Sequence, residues 1–191
     1  MKAQAQTIQN DIIALFEKAW RECLSDIEQY KLESFIAQYI KKIDPAKGNA
    51  YHASYYALLG QIKKAQECYE TAIRLNPNDA EVYYNYAVFF RNTGELEKAI
   101  RYALKAISLD GVRVSYIVKA IEYAFLAEDK VLLKQLSKQY EKITGKSFDF
   151  SGFNAGKEET IKEDKELDLY ATSSSALRDW GKTEEETAWD K

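Results

Sequence analysis

The sequence is poor in the residues that build disulfide frameworks, metal sites and tight turns. Its 191 residues include two cysteines, one histidine, two prolines and eight glycines. Cys23 and Cys68 lie in helical patterns without a CxxC or Cys/His cluster, so we expect two buried apolar residues rather than a disulfide or a metal site. Because proline and glycine are the main helix breakers, their scarcity favours long helices.

Long apolar runs and an excess of positive charge are also missing. No window approaches the roughly 18 apolar residues of a membrane span, and residues 1–7 lack the apolar core of a signal peptide. The formal net charge is −3, whereas nucleic-acid binding usually needs a basic face. We therefore expect a cytoplasmic protein that binds neither a membrane nor nucleic acid.

Convergent catalytic groups are scarce as well. The one histidine, His52, lies in a helical pattern beside Tyr51 and is interpreted as a surface or packing residue. Gly60, Gly94 and Gly111 fit helix ends rather than a phosphate-binding loop. No carboxylate pair stands out from the Glu/Lys pattern of exposed helix faces. The sequence predicts no enzyme, no cofactor and no metal.

The sequence contains one 34-residue pattern that occurs twice in succession. Each copy predicts two helices joined at a glycine, which suits the left-handed conformation of a helix end. In the first copy we expect helices over Asn49–Leu59 and Ile62–Leu75. A fixed period of about 20–50 residues marks units that must stack to bury their apolar faces. The paired positions, each 34 residues apart, are Gly60 and Gly94, Ala65 and Ala99, Tyr69 and Ala103, Ala72 and Ala106, Ile73 and Ile107, Leu75 and Leu109, and Pro77 and Gly111.

This pattern resembles the tetratricopeptide repeat over about residues 46–113. The resemblance implies an all-α fold, a right-handed superhelical stack of helix-turn-helix pairs. The flanking residues keep the period but lose the small residues and the turn glycine, which is replaced by Glu128, so we interpret them as divergent terminal repeats. The residues that carry the resemblance are Ala53, Tyr56, Gly60, Ala65, Tyr69, Ala72 and Pro77.

Composition divides the chain further. We expect a divergent N-terminal helical pair over 1–45, repeats over 46–79 and 80–113, and a degenerate capping pair over 114–145. An acidic, partly disordered tail with short helices follows over 146–191. Residues 151–191 carry eleven acidic and six basic side chains, a net −5, and the preceding 150 residues carry a net +2.

In tetratricopeptide-repeat proteins the first helices of the pairs line a concave face that usually binds a peptide. The resemblance thus implies a scaffold or adaptor for a protein or peptide partner. A clamp that some members use for chaperone carboxylates keeps only Asn85 and Lys119 here, so a neutral or mixed peptide is favoured. Packing between repeats is the competing interpretation for Tyr51 and Tyr84. The candidate binding residues are Tyr51, Ser54, Glu81, Tyr84, Asn85, Val88, Arg91, Asn92, Lys119 and Glu122.

The tail supports a second functional hypothesis. Leu177, Trp180 and Trp189 interrupt an acidic background, a pattern typical of segments that fold on a partner. Residues 173–190 loosely resemble the tails of small prokaryotic antitoxins. The alternative is therefore a regulatory or inhibitory protein that acts through its tail, in an antitoxin-like or autoinhibitory manner. Two further interpretations stay open. In one, the tail docks on the last repeat, with Phe148, Phe150 and Phe153 as docking candidates. In the other, the repeats form a homo-oligomerisation module.

Overall fold

The structure, a computed structural model, describes residues 2–151 apart from the side chains of Lys2, Ala3 and Trp20. Over these residues the chain is all-α, without a strand. Two compact units divide it, with α1–α4 in the first and α5–α8 in the second. Within each unit, every helix packs against the next. The helices are α1 (Lys2–Arg21), α2 (Asp26–Lys42), α3 (Pro45–Leu58), α4 (Ile62–Leu75), α5 (Ala80–Asn92), α6 (Leu96–Leu109), α7 (Val114–Leu126) and α8 (Lys130–Thr144).

The helix bounds of the first repeat test the sequence analysis directly. Helix α4 covers Ile62–Leu75, as predicted. Helix α3 begins at Pro45 rather than Asn49, so that bound is wrong. The reason is a local cap: the Asp44 carboxylate accepts a hydrogen bond from the Lys47 backbone N–H at 3.0 Å, and Pro45 occupies the first turn, where no N–H is needed.

The turns inside the helical pairs require a left-handed residue. Gly60 and Gly94 take φ values of 69° and 83°, which confirms their predicted role. The matching turn between α7 and α8 has no glycine, and Glu128 takes φ 55° there. A side chain with a Cβ atom is strained in this region, so the third turn keeps its shape against a local energy cost.

Small residues bring the two helices of each repeat together. Ala53, Ala65 and Ala72 are completely buried in the first unit, and Tyr69 fills the space beside them. In the second unit Ala99 and Ala106 occupy the equivalent buried positions. The alanines that the repeated pattern places on the second helix of each pair are therefore buried in both repeats.

The two cysteines are not both in the core. Cys23 is exposed and Cys68 is half-buried, and neither forms a disulfide. The expectation of burial is wrong for Cys23. Helix α1 ends at Arg21, so Cys23 lies beyond the helix and outside its apolar side. Among residues 2–151, no helix combines the length and hydropathy that crossing a bilayer requires.

At Gly48 the backbone of α3 lies close to Ile40 of α2. A Cβ atom added there would lie 2.5 Å from Ile40 Cγ1 and 2.9 Å from the Ile40 backbone. We expect Gly48→Ala to lower the free energy of unfolding by about 1–3 kcal/mol, because overpacking outweighs the usual gain of alanine in a helix. Urea unfolding checks this, and a variant as stable as the parent would contradict the close contact.

At Glu128 we expect a substitution that raises the free energy of unfolding. Replacing Glu128 with glycine should raise the free energy of unfolding by about 0.5–1 kcal/mol, because glycine adopts positive φ without strain. The control is Glu128→Ala, which removes the carboxylate but keeps the Cβ atom. Urea unfolding of both variants separates backbone strain from charge. A glycine variant no more stable than the alanine variant would refute the explanation.

Candidate functional site

Helix α5 carries most of the candidate binding residues, and its start fixes their orientation. The Asp79 carboxylate accepts hydrogen bonds from the backbone N–H groups of Glu81 at 3.0 Å and Val82 at 3.4 Å. From this cap, helical spacing places the candidates of α5 along one side of the helix. They are Glu81, Tyr84, Asn85, Val88, Arg91 and Asn92.

The structure brings this side of α5 next to α7. The Tyr84 ring stacks on the Tyr116 ring with centroids 4.8 Å apart and planes 27° from parallel. Arg91 lies close enough to Tyr123 of α7 to oppose the rise of its pKa. We call the combined surface the α5–α7 face, which consists of Glu81, Tyr84, Asn85, Val88, Arg91, Asn92, Tyr116, Lys119 and Glu122.

Half of the candidates are less accessible than the sequence suggested. Five of the ten candidates are buried rather than exposed on a concave face, and the binding role of all ten stays a prediction. The buried ones are Tyr51 (1 % exposed), Ser54 (2 %), Tyr84 (5 %), Asn85 (4 %) and Val88 (5 %).

Contacts on several sides of α3 explain the burial of Tyr51 and Ser54. In the first unit, Tyr51 packs edge-on against Tyr39 with centroids 5.3 Å apart. The Ser54 hydroxyl donates to the Ala50 carbonyl at 3.2 Å and lies 3.3 Å from the Tyr69 hydroxyl. Tyr51 and Ser54 therefore belong to the core of their unit, as the packing interpretation of Tyr51 holds.

The charged candidates of the α5–α7 face are all half-buried, as is Asn92. Glu81, Arg91, Asn92, Lys119 and Glu122 all retain part of their surface. Lys119 Nζ donates to Glu122 Oε2 at 3.3 Å, so these two charges largely neutralise each other. Arg91 has no ion pair within residues 2–151, which leaves it as an uncompensated cation of the face.

Two buried polar atoms of this face have no hydrogen-bond partner among the described residues. They are Asn85 Oδ1 and Arg91 Nε. Buried polar atoms are nearly always hydrogen-bonded, and an unsatisfied one costs about 1–3 kcal/mol. The face thus has one unsatisfied acceptor and one unsatisfied donor on the same side of α5, and both atoms are buried in this conformation.

The tyrosines of α7 stay neutral at physiological pH. Burial raises the pKa of Tyr116 to about 12, Arg113 opposes this rise, and Glu81 adds to it. Burial also raises the pKa of Tyr123 well above its usual value. Their hydroxyl groups can donate or accept hydrogen bonds, but they supply no negative charge.

His52 behaves as a packing residue. Its ring stacks on Tyr56 with centroids 4.4 Å apart, and burial, more than the nearby Lys64, holds its pKa below the usual value. No group of three or more His, Cys, Asp or Glu side chains within residues 2–151 could hold a metal ion.

Sequence reasoning missed a second surface on α8. Lys130, Lys134 and Lys138 line a cleft together with Phe148 and Phe150. The aromatic residues were noted as docking candidates for the tail, but the lysine spacing of four residues, visible in the sequence, was not used. The tail candidates Leu177, Trp180 and Trp189, and the docking candidate Phe153, lie outside the described residues.

Comparisons with known proteins agree with this geometry. Family models of the tetratricopeptide repeat match residues 53–79 and residues 68–101. A search of curated proteins found no match. The matched residues run from α3 into α6, where small residues and turn glycines join the helices in pairs. Residues 53–101 therefore contain tetratricopeptide repeats.

Proposed function

We propose that this protein binds a partner protein or peptide through the α5–α7 face. Tetratricopeptide repeats support a role in protein–protein interaction. The proposal that binding occurs through the α5–α7 face rests on two unsatisfied atoms, Asn85 Oδ1 and Arg91 Nε. Once the two side chains turn outward, a bound chain can supply the N–H donor and the oxygen acceptor that these atoms lack, so binding would recover part of their desolvation cost.

The spacing of the two residues suits an extended peptide. Asn85 and Arg91 are six residues apart in α5, which is about 9 Å along a helix axis. An extended chain covers that distance with about three residues at ~3.3 Å each. One peptide could therefore donate a backbone N–H to Asn85 and place a carbonyl or carboxylate oxygen against Arg91.

The charges of the face favour a ligand without strong net charge. Glu81 and Glu122 balance Arg91 and Lys119 in number, and Lys119 is already paired with Glu122. A highly acidic or highly basic peptide would gain little from such a surface. Repeats of this kind typically form a non-enzymatic scaffold, and a scaffold role requires only the binding step.

A peptide library tests the binding surface. Random twelve-residue peptides displayed on phage are selected against the full chain, and the enriched peptides are titrated against variants by fluorescence anisotropy. We expect Asn85→Ala with Arg91→Ala to weaken binding on the order of 30-fold or more, since the lost bonds contribute ~0.5–1.5 and ~1.5–3 kcal/mol.

The matched control replaces Asn10 of α1 and Arg101 of α6 with alanine, because both are exposed and lie off the face. It should bind as tightly as the parent chain. Equal affinity of the two double variants would refute binding through the face. Tyr84 is left unchanged because it is buried against Tyr116, and its loss would test folding instead.

Asn85 also separates binding from stability. Asn85→Leu removes the unsatisfied oxygen, keeps the number and branching of the side-chain heavy atoms and adds a better helix former, so the free energy of unfolding should rise by about 1 kcal/mol. Urea unfolding measures the rise, and the same variant should lose affinity for the selected peptides. A less stable variant would show that Asn85 Oδ1 already accepts a hydrogen bond within the folded chain. This result would contradict the proposal that Oδ1 accepts one from the ligand.

A further inference from the structure

Helix α8 and the residues after it form a cleft that the proposed binding face does not use. Gly145 ends α8 with a left-handed φ of 70°, which lets the chain turn back. Phe148 then packs edge-on against Tyr140 with centroids 5.1 Å apart, and Phe150 lies 4.9 Å from Phe148. We call the resulting depression the α8 cleft. Its charged lining residues are Lys130, Lys134, Lys138 and Glu141, and Leu133, Phe148 and Phe150 form its apolar side.

Uncompensated positive charge distinguishes this cleft. Lys130, Lys134 and Lys138 are spaced four residues apart, so they share one side of α8. All three are exposed, and none forms an ion pair with another residue of the described part of the chain. Residues 130–151 contain five lysines and two acidic residues. The cleft therefore attracts an acidic ligand that can also cover its aromatic side.

We propose that the acidic segment 152–191 of the same chain docks in the α8 cleft, with the carboxylates of residues 158–166 placed against the three lysines. This segment carries eleven acidic and six basic residues. It begins two residues after Phe150, which already lines the cleft. Charge complementarity and chain continuity thus point to the same occupant.

Chain length permits this arrangement. The seven Cα–Cα steps from Ser151 to Glu158 reach at most ~25 Å when extended, and α8, with 15 residues, is about 22 Å long. The first acidic cluster can therefore reach every lysine of the stripe. A short tether also provides an effective concentration in the millimolar range, which favours the chain's own segment over a segment from another molecule.

Docking would also cover the last described helix of the repeat array. Terminal units of repeat proteins have one side without a neighbouring repeat and need a capping element. Here the cap would be charged and reversible, since ion pairs between exposed groups weaken with salt.

Limited chymotrypsin digestion of the full chain tests the proposal. In Lys130→Glu/Lys134→Glu/Lys138→Glu, cleavage after Tyr170 should be faster than in the parent on the order of tenfold, because each of three exposed ion pairs favours the docked form about twofold. High salt should accelerate cleavage of the parent and leave this variant unchanged. Far-UV circular dichroism confirms that the helices of the variant are intact.

The control Lys31→Glu/Lys41→Glu/Lys63→Glu makes the same charge change at exposed lysines of the first unit. Its cleavage rate should match the parent rate. Equal acceleration in both triple variants, or none in either, would overturn the proposal.

A second measurement identifies the occupant. Carbodiimide cross-linking of a mixture of ¹⁴N- and ¹⁵N-labelled chains should join carboxylates of residues 158–166 to the α8 lysines within one label. Cross-links between labels would assign the cleft to a second copy. Absence of cross-links at Lys130, Lys134 and Lys138 would leave it to an external acidic partner. Both results would overturn docking within the chain.

Discussion

The close contact of helices through small residues is the constraint on which the rest of the structure depends. Ala53, Ala65 and Ala72 in the first unit have no exposed surface, and a Cβ atom at Gly48 would collide with Ile40. Backbones can approach this closely only where side chains are small, and the gaps left over must be filled by large neighbours. Tyr69 fills one such gap, so the alanines and the tyrosines of the repeat depend on each other.

Close packing also gives the candidate site its chemical character. Helix α5 contacts α6 directly and α7 through Tyr84, so most of its surface is buried. A polar residue in such surroundings is costly, and fold stability alone would favour an apolar residue at position 85. The unsatisfied Asn85 oxygen therefore departs from the local packing rule, which natural proteins tend to do at functional sites.

The sequence predicts those features that are determined locally. The bounds of α4 and the left-handed Gly60 and Gly94 depend on residues within a few positions. The burial of Tyr51 and Tyr84 could not be predicted from helical spacing, because Tyr39 and Tyr116, which cover them, are distant in the chain. Asn85 was identified as a candidate from the family resemblance, but its missing hydrogen-bond partner is visible only once the neighbouring helix is in place.

The α5–α7 face and the α8 cleft differ in how many of their cations lack an acidic partner. We expect this difference to select different ligands for the two surfaces. On the α5–α7 face, Lys119 is paired with Glu122, and Arg91 alone lacks an acidic partner among residues 2–151. On the α8 cleft, three lysines lack one. Because an acidic segment gains most where several uncompensated cations lie together, residues 158–166 should prefer the cleft. If both proposals hold, the α5–α7 face stays open to a neutral or mixed peptide while residues 158–166 are docked, so one chain would cover α8 and bind a partner at the same time.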